Sequence, residues 1–309
     1  MLQPFAVNCS AQDISWVKSN TKLINCINID KLYYPENIQE LIQIICTLHN
    51  KGEAFDIIGY SSNTLFLPSY HIQNMICTKK LNKWYETEDL IICECGVNVS
   101  SLSRRLIEKG YIGFEGLNDL PGTIAAAVYG NSGCRHCSVN ELLHSFTLLT
   151  SDGTIQELNI NELAPSFRSS ALKRKEIKGV IIDVRLHKRK GDVATLKSIA
   201  EHNHQIRKEQ QPSGYNNLGT TFIGWQLTRK GRYFQKLEEY IQKIIKTKDT
   251  RKSFPLTLRL IGKGKYAAYT YNSHRYMFHD ERSHDLFPQY YDFLKTLYWD
   301  LKTEIEIRK

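Results

Sequence analysis

Two stretches of small residues hold the most evident chemistry in this chain. The first, Gly59-Tyr60-Ser61-Ser62-Asn63-Thr64, lies between the apolar runs Ile57-Ile58 and Leu65-Phe66-Leu67. The second runs from Pro121-Gly122-Thr123 through Ala125-Ala126-Ala127 to Gly130-Asn131-Ser132-Gly133. Such residues have little bulk to fill a core. They let a backbone come close to another group, and their N–H groups suit an anion such as a pyrophosphate. Each stretch follows a strand-like segment, so the pair points to a large phosphate-bearing cofactor held by backbone. A plain tight turn has the same composition, and the order of the surrounding segments has to separate the two.

Those segments alternate between strand and helix patterns. Leu23–Ile29 reads as a strand. Ile38–Leu48 has apolar residues at helical spacing and reads as an amphipathic helix. Ala54–Ile58 is a short strand ending at the first loop. Leu90–Val97 is another strand, followed by a helix over Leu102–Lys109 with Ser100 as N-cap and Gly110 closing it. The second loop comes next. Ser145–Thr150 and Thr154–Leu158 flank Ser151-Asp152-Gly153, a hairpin signal, and Gly179–His187 is a further strand. The charged turn Lys188-Arg189-Lys190-Gly191 marks a boundary near 190. Beyond it come a helix over about 193–209, the turn Gly219-Thr220-Thr221, a Lys-rich helix near 233–247, a helix near 286–298 and a strand Glu304–Ile307. The pattern is that of an α+β chain with at least two parts.

Composition narrows the partners. A chain of 309 residues is long enough for two or three modules with real cores. Its formal charge of +9 is spread over Lys173-Arg174-Lys175, Lys188–Lys190 and Lys243–Lys252, without a long tract interleaved with aromatics. A nucleotide cofactor and an anionic sugar nucleotide account for that charge better than nucleic acid does. No segment reaches 18 uninterrupted apolar residues, so no membrane span is expected. The N-terminus MLQPFAVNCS lacks a basic start and a long apolar run, so no secretory signal is expected and the cytoplasm is the expected compartment. The eight cysteines show no disulfide framework. Cys134-Arg135-His136-Cys137 is a CxxC without a second pair, a poor zinc signal. It reads as unbonded thiols beside a loop, with a redox pair as the alternative. No metal site is expected. Cys93 and Cys95, flanking Glu94, are expected on one strand face.

The order of segments resembles the UDP-N-acetylenolpyruvoylglucosamine reductases over most of the chain. Tyr34-Pro35-Glu36-Asn37 with the helix after it is similar to the family's first helix. The two small-residue loops resemble its flavin loops. Phe167-Arg168-Ser169-Ser170-Ala171-Leu172-Lys173 resembles its Tyr-Arg-x-Ser-x-Phe-Lys segment, and Gly219-Thr220-Thr221-Phe222 its Gly-Ser-x-Phe segment. Leu301-Lys302-Thr303-Glu304-Ile305 sits where the family ends in Leu-x-x-Glu-Val. The resemblance implies a two-subdomain FAD fold of the vanillyl-alcohol-oxidase type over 1–78 and 79–190, with a C-terminal α/β substrate-binding domain over 191–309. It implies non-covalent FAD against Gly59, Tyr60, Ser61, Ser62, Asn63 and Thr64, and against Pro121, Gly122, Thr123, Ala125, Ala126, Asn131 and Gly133. NADPH is the implied electron donor and UDP-N-acetylglucosamine enolpyruvate the implied substrate. In the family reaction NADPH gives hydride to the flavin, the flavin gives hydride to C3 of the enolpyruvyl ether, and an acid protonates C2. The product, UDP-N-acetylmuramate, is a peptidoglycan precursor. Arg168 matches the arginine beside the developing enolate, Thr220 the serine that protonates C2, and Glu304 the glutamate that helps stabilise the intermediate.

The departures imply a second reading. Two glycines of the family's Gly-Gly-Gly-Ser-Asn are absent from the first loop, and Ala125-Ala126 replaces a Gly-Gly in the second. Alanine is costly wherever the backbone needs positive φ. After Phe222 the family has Asn-Pro and a helix containing Leu-Ile-Glu that helps hold the UDP-sugar; here Ile223-Gly224-Trp225-Gln226-Leu227 follows. Asn272-Ser273-His274-Arg275-Tyr276 only weakly resembles the family's later His-containing segment. Neither loop has a histidine, so no histidyl–flavin bond is expected, and a covalent bond to His136 or Cys134 is a remote alternative. The second reading is a diverged flavin oxidoreductase acting on another sugar nucleotide in surface-polysaccharide synthesis, or a non-catalytic flavin-fold binding protein.

Overall fold

A computed structural model describes residues 29–67, 69–134, 137–211, 217–271, 273–278 and 281–309. The expected strand Leu23–Ile29, apart from Ile29, lies outside the described residues, as do Arg135, His136 and Asn272. The described chain forms two compact units. Residues 29–61 and 71–209 belong to the first, and residues 62–70 and 210–309 to the second.

The first unit holds two sheets. In the smaller one, β1 (Ile29–Tyr33), β4 (Ile72–Cys77) and β2 (Phe55–Ile58) run parallel in the order β1-β4-β2. The crossover is helix α1 (Ile38–Asn50). Asn37 starts that helix by accepting from Glu40 N at 2.9 Å, and the Glu40 carboxylate accepts from Glu36 N at 2.8 Å. Leu41, Ile44, Ile45 and Leu48 recur at helical spacing and bury against Ile76 and Leu81.

The larger sheet is antiparallel, ordered β10-β9-β11-β6-β5: Ile155–Asn159, Leu143–Leu149, Val180–His187, Leu90–Glu94 and Trp84–Glu86. Helices α2 (Val99–Glu108), α3 (Ile124–Tyr129) and α5 (Val193–Gln210) add Leu102, Leu106, Ile124, Val128, Leu196 and Ala200 to its core with Ile91, Phe146 and Val184. A short helix α4 (Ile160–Leu163) follows β10, and a small hairpin pairs β7 (Gly133–Cys134) with β8 (Cys137–Ser138).

Three expectations need correction here. The cap of α2 is Asn98, whose side chain accepts from Ser101 N at 2.8 Å; Ser100 lies inside the helix and donates to Asn118 O. Cys93 and Cys95 do not share one core. The strand ends at Glu94, so Cys93 packs with the larger sheet and Cys95 with α1. The first unit runs on to 209 rather than stopping near 190, because α5 buries Leu196 and Ala200 in its core. Asn118 Nδ2 donates to Ala200 O at 3.4 Å, and Asn203 Nδ2 to Glu115 O at 3.2 Å.

In the second unit, β3 (Thr64–Phe66) pairs in parallel with β14 (Glu306–Arg308), and β12 (Phe222–Ile223) pairs antiparallel with β13 (Lys302–Thr303). Helices α6 (Arg229–Ile244), α7 (Thr250–Leu260), α8 (Gly264–Ala267) and α9 (Glu281–Leu297) complete it. Its core gathers Leu65, Phe222, Phe254, Leu258, Tyr290, Leu294 and Ile305. Helix α7 has no counterpart in the sequence reading. Asp249 caps it, and Pro255 sits within it. The expected strand Glu304–Ile307 is broken: one strand ends at Thr303 and the next begins at Glu306.

Candidate active site

Strand β2 delivers the first loop. Gly59 lies so close to Thr123 that a Cβ there would come within 2.4 Å of the threonine Cγ2, so the two loops meet in the first unit. Thr78 Oγ1 donates to Ile58 O at 3.2 Å, and Cys77 Sγ to Gly59 O at 3.5 Å. Tyr60 is half-buried, and burial pushes its phenol above the usual range. Ser61 takes φ +51, where the family has glycine, and is only 5% exposed. Its hydroxyl is buried without a hydrogen-bond partner. The division between units falls at the next peptide. Ser62, Asn63 and Thr64 belong to the second unit, where Asn63 O accepts from Glu306 N at 2.8 Å and Thr64 pairs with Glu306.

The second loop is tied down by its own backbone. Pro121 is exposed, Gly122 has φ +119, and Thr123 caps α3 by accepting from Ala126 N at 3.3 Å. Ile124 N donates to Val97 O at 2.8 Å, Ala125 N to Cys95 O at 3.2 Å and Ala127 N to Thr123 O at 3.0 Å. Amides 124–127 therefore all have protein acceptors. Ala125 and Ala126 can admit a ligand through their small side chains, not through open N–H groups. The expected cost of alanine in place of glycine is also absent, because both residues are helical in α3. Positive φ falls instead on Gly122 and Asn131. Gly133 is held to glycine by proximity: a Cβ would lie 2.1 Å from Cys137 O.

Arg168 is brought onto the end of this loop. Its Nη2 donates to Gly133 O at 2.8 Å and its Nη1 to Asn131 O at 3.5 Å. Asn131 returns the link, donating from Nδ2 to Ser166 O at 2.8 Å and accepting from Ser138 Oγ at 2.6 Å. Ser170 Oγ donates to Tyr129 O at 2.6 Å. The guanidinium is thus fastened to two backbone carbonyls of the second loop. Phe167 beside it is 79% exposed.

Thr220 and Glu304 both lie in the second unit, and Glu304 is tied to the residue after Thr220. Glu304 N donates to Thr221 O at 3.0 Å, and Asn63 Nδ2 reaches Glu304 O at 3.4 Å. Glu304 and Thr220 are both half-exposed. Thr221 is fully buried, and its Oγ1 accepts from Met277 N at 3.3 Å, so its hydroxyl is structural. The break between β13 and β14 removes the expected shared strand face of Glu304 and Glu306. Sequence reading gave no role to Arg275, yet its carbonyl accepts from Thr221 N at 2.7 Å and Phe222 N at 3.2 Å. Only the weak Asn272–Tyr276 resemblance pointed there. A groove of about 650 Å³ in this unit, lined by residues such as Tyr233, Phe293 and Lys263, has neither Thr220 nor Glu304 in its wall. Among the described residues, no group of three or more His, Cys, Asp or Glu could hold a metal, and no helix is long and apolar enough to cross a membrane.

Comparison with known proteins fits this geometry. The family described as FAD binding domain matches residues 29–159. The UDP-N-acetylenolpyruvoylglucosamine reductase of Caldicellulosiruptor saccharolyticus is 32% identical over 192 residues, covering 62% of each chain. That of Lachnoclostridium phytofermentans is 28% identical over 205 residues, covering 62% of this chain and 63% of its own. The chain thus aligns with a little over three-fifths of the length of these relatives. In three dimensions it is similar to the crystal structure of UDP-N-acetylenolpyruvylglucosamine reductase from Thermus caldophilus, with a TM-score of 0.66, 18% identity and coverage of 95% of this chain and 97% of that one. That last likeness is one of fold: α+β, with the flavin-binding architecture that the sequence implied. The chain thus carries a match to the FAD binding domain over residues 29–159 and is similar, over 62% of its length, to UDP-N-acetylenolpyruvoylglucosamine reductases.

Proposed function

We propose that the chain is an FAD-dependent oxidoreductase that uses NADPH to reduce UDP-N-acetylglucosamine enolpyruvate to UDP-N-acetylmuramate in the cytoplasm. The observation that supports this most is Arg168, whose guanidinium is fastened to two carbonyls next to the segment that the FAD-binding family matches. The first loop fits a bound flavin as well. Its Ser61 hydroxyl is buried and unpartnered, and Gly59 presses on Thr123 where a side chain would not fit. Flavin binding is assigned to the first unit, with the parallel sheet and the larger sheet as its two subdomains, and substrate binding to the second.

When bound, FAD supplies hydride transfer from NADPH to C3 of the enolpyruvyl ether. The chain's own residues handle the charge and the proton. Arg168 offers a permanent cation to the substrate carboxylate, where negative charge grows as C3 is reduced. Thr220 Oγ1 gives its proton to C2, and Thr221, fully buried, leaves that task to its neighbour. Glu304, held through its backbone by Thr221 and Asn63, assists the intermediate.

A second reading keeps the flavin but changes the sugar nucleotide. What favours it is the segment Ile223-Gly224-Trp225-Gln226, which replaces the family's Asn-Pro right after Phe222. Purified protein should be yellow, acid should release the flavin into the supernatant, and NADPH oxidation should depend on added enolpyruvyl sugar. Oxidation that the sugar does not stimulate refutes the first reading, and a protein that never takes up flavin refutes both.

A further inference from the structure

The segment that departs from the family builds an aromatic and cationic platform next to Thr220. Trp225 is 65% exposed, a large apolar surface left open on the second unit. Arg275 lies over it, with Cζ 4.1 Å from the ring centroid. The same Arg275 accepts through its carbonyl from Thr221 N and Phe222 N, so its backbone is fastened to the strand that follows Thr220. Among the described residues no carboxylate pairs with its guanidinium, and its Nε is buried without a hydrogen-bond partner. Asp300, beside Trp225, is committed to backbone amides. Asp300 accepts from Trp225 N at 2.8 Å and from Gln226 N at 2.9 Å, which holds its carboxyl below the usual range. Trp299 N donates to Gln226 O at 2.8 Å, placing a second indole, 76% exposed, on the adjoining backbone.

The platform's support is rigid. His274 is 8% exposed, its ring lies 4.1 Å from the ring of Tyr298, and its Nε2 has no hydrogen-bond partner. Gly224 leaves no slack, since a Cβ there would come within 3.1 Å of Leu301 and 3.2 Å of Tyr298. An exposed indole with a guanidinium on one face has its other face open to a planar ring. A guanidinium without a carboxylate partner is a donor for phosphate oxygens.

We infer that Trp225 and Arg275 form a recognition platform for a nucleoside diphosphate, with the base stacked on the indole and the diphosphate held by the guanidinium. It sits five residues along the chain from Thr220, on the unit that carries Thr220 and Glu304. The inference rests on the reading that the substrate is a nucleotide sugar, and it replaces the missing Asn-Pro segment with a different recognition chemistry. Trp225 and Arg275 are positioning residues: they fix the nucleotide end of the substrate and touch no reacting atom.

The test is calorimetric titration of the flavin-loaded protein with UDP and, separately, with inorganic pyrophosphate. Trp225→Ala should weaken UDP about tenfold or more, within the range of a lost base–aromatic stack, and leave pyrophosphate unchanged. Arg275→Ala should weaken both. Trp225→Phe should recover UDP binding to within about threefold, which a merely structural role would not predict. In turnover, Trp225→Ala should raise KM for the sugar nucleotide and spare kcat. Flavin content and thermal melting confirm that each variant is folded. UDP binding equal to wild type in both alanine variants overturns the platform, as does a wild-type protein that binds no UDP. A wild type that binds UDP through Trp225 but does not reduce the enolpyruvyl sugar keeps the platform and refutes the proposed activity.

Discussion

Ser61 offers the sharpest physical test of the flavin loop. It holds φ +51 without being glycine, and its hydroxyl is buried with no partner. Left-handed backbone costs an L-residue about 1–2 kcal/mol, and an orphaned buried hydroxyl a further 1–3 kcal/mol or so. Ser61→Gly removes both costs. Against that stands about 0.5–1 kcal/mol for the freedom glycine adds to the unfolded chain. The flavin-free protein should therefore gain about 1–4 kcal/mol. For a unit of this size a gain of 1 kcal/mol raises the melting temperature by about 2–4 °C. Ser61→Ala removes the hydroxyl but keeps the strain, so it should gain less than Ser61→Gly.

Flavin reverses the sign of the hydroxyl's contribution. If Ser61 Oγ donates to the bound cofactor, both variants lose a charge-assisted hydrogen bond of about 1.5–3 kcal/mol, roughly tenfold or more in affinity. The flavin-free melting temperature rises while flavin retention falls. Melting curves with and without FAD, together with flavin fluorescence in the filtrate after dilution, measure the two halves separately. A flavin-free Ser61→Gly protein that melts below wild type refutes the strain argument. Variants that hold FAD as tightly as wild type refute the hydroxyl's role in binding it.

The other predictions follow from single contacts. Arg168→Ala should spare flavin reduction by NADPH and slow transfer to substrate by on the order of a hundredfold to a thousandfold, read by stopped flow on each half-reaction; equal rates would remove Arg168 from the site. Thr220→Val should lose most turnover and Thr220→Ser keep it, while Thr221→Val should chiefly lower stability because it strips the acceptor of Met277 N; near-normal turnover in Thr220→Val would sink the proton-donor assignment. Burial, with Arg275 adding to it, holds His274 at about 4, below its unfolded 6.5, so the second unit should be fully stable above pH ~6.5 and lose up to roughly 3 kcal/mol as pH falls toward ~4. His274→Phe should flatten that slope in pH-dependent melting, and an unchanged slope would place the titrating group elsewhere.

The loops and the larger elements were legible because their signals are local. Gly and Pro mark the turns, Ser151-Asp152-Gly153 marks the hairpin, and the spacing Leu41, Ile44, Ile45, Leu48 marks α1. What escaped depends on partners far along the chain. Asn63 reads as a loop residue, yet it bonds Glu304 across 241 positions. Helix α7 was hidden by Pro255 and the lysines before it, and only its burial of Phe254 and Leu258 makes it pay its way in the core. The alternation Glu304-Ile305-Glu306-Ile307 has the period of one strand, and period alone does not reveal that the strand changes partner midway. The alanines of the second loop were misjudged for a similar reason: cost depends on φ, and φ there is set by a helix that Thr123 begins.

That change of partner places Glu304 physically. Up to Thr303 the chain pairs with Phe222–Ile223, and from Glu306 it pairs with Thr64–Phe66. Glu304 is the joint, with its N–H on Thr221 and its carbonyl reached by Asn63. A residue in the middle of a ladder has its side chain fixed by the pleat, alternating strictly with its neighbours. A residue at a joint is released from that alternation, and its direction follows from whichever two strands it connects. Here those strands carry Thr220 on one side and the last residues of the first small-residue loop on the other. The carboxylate's position thus depends on both strands, whereas the continuous strand that the sequence pattern implies would fix it by one.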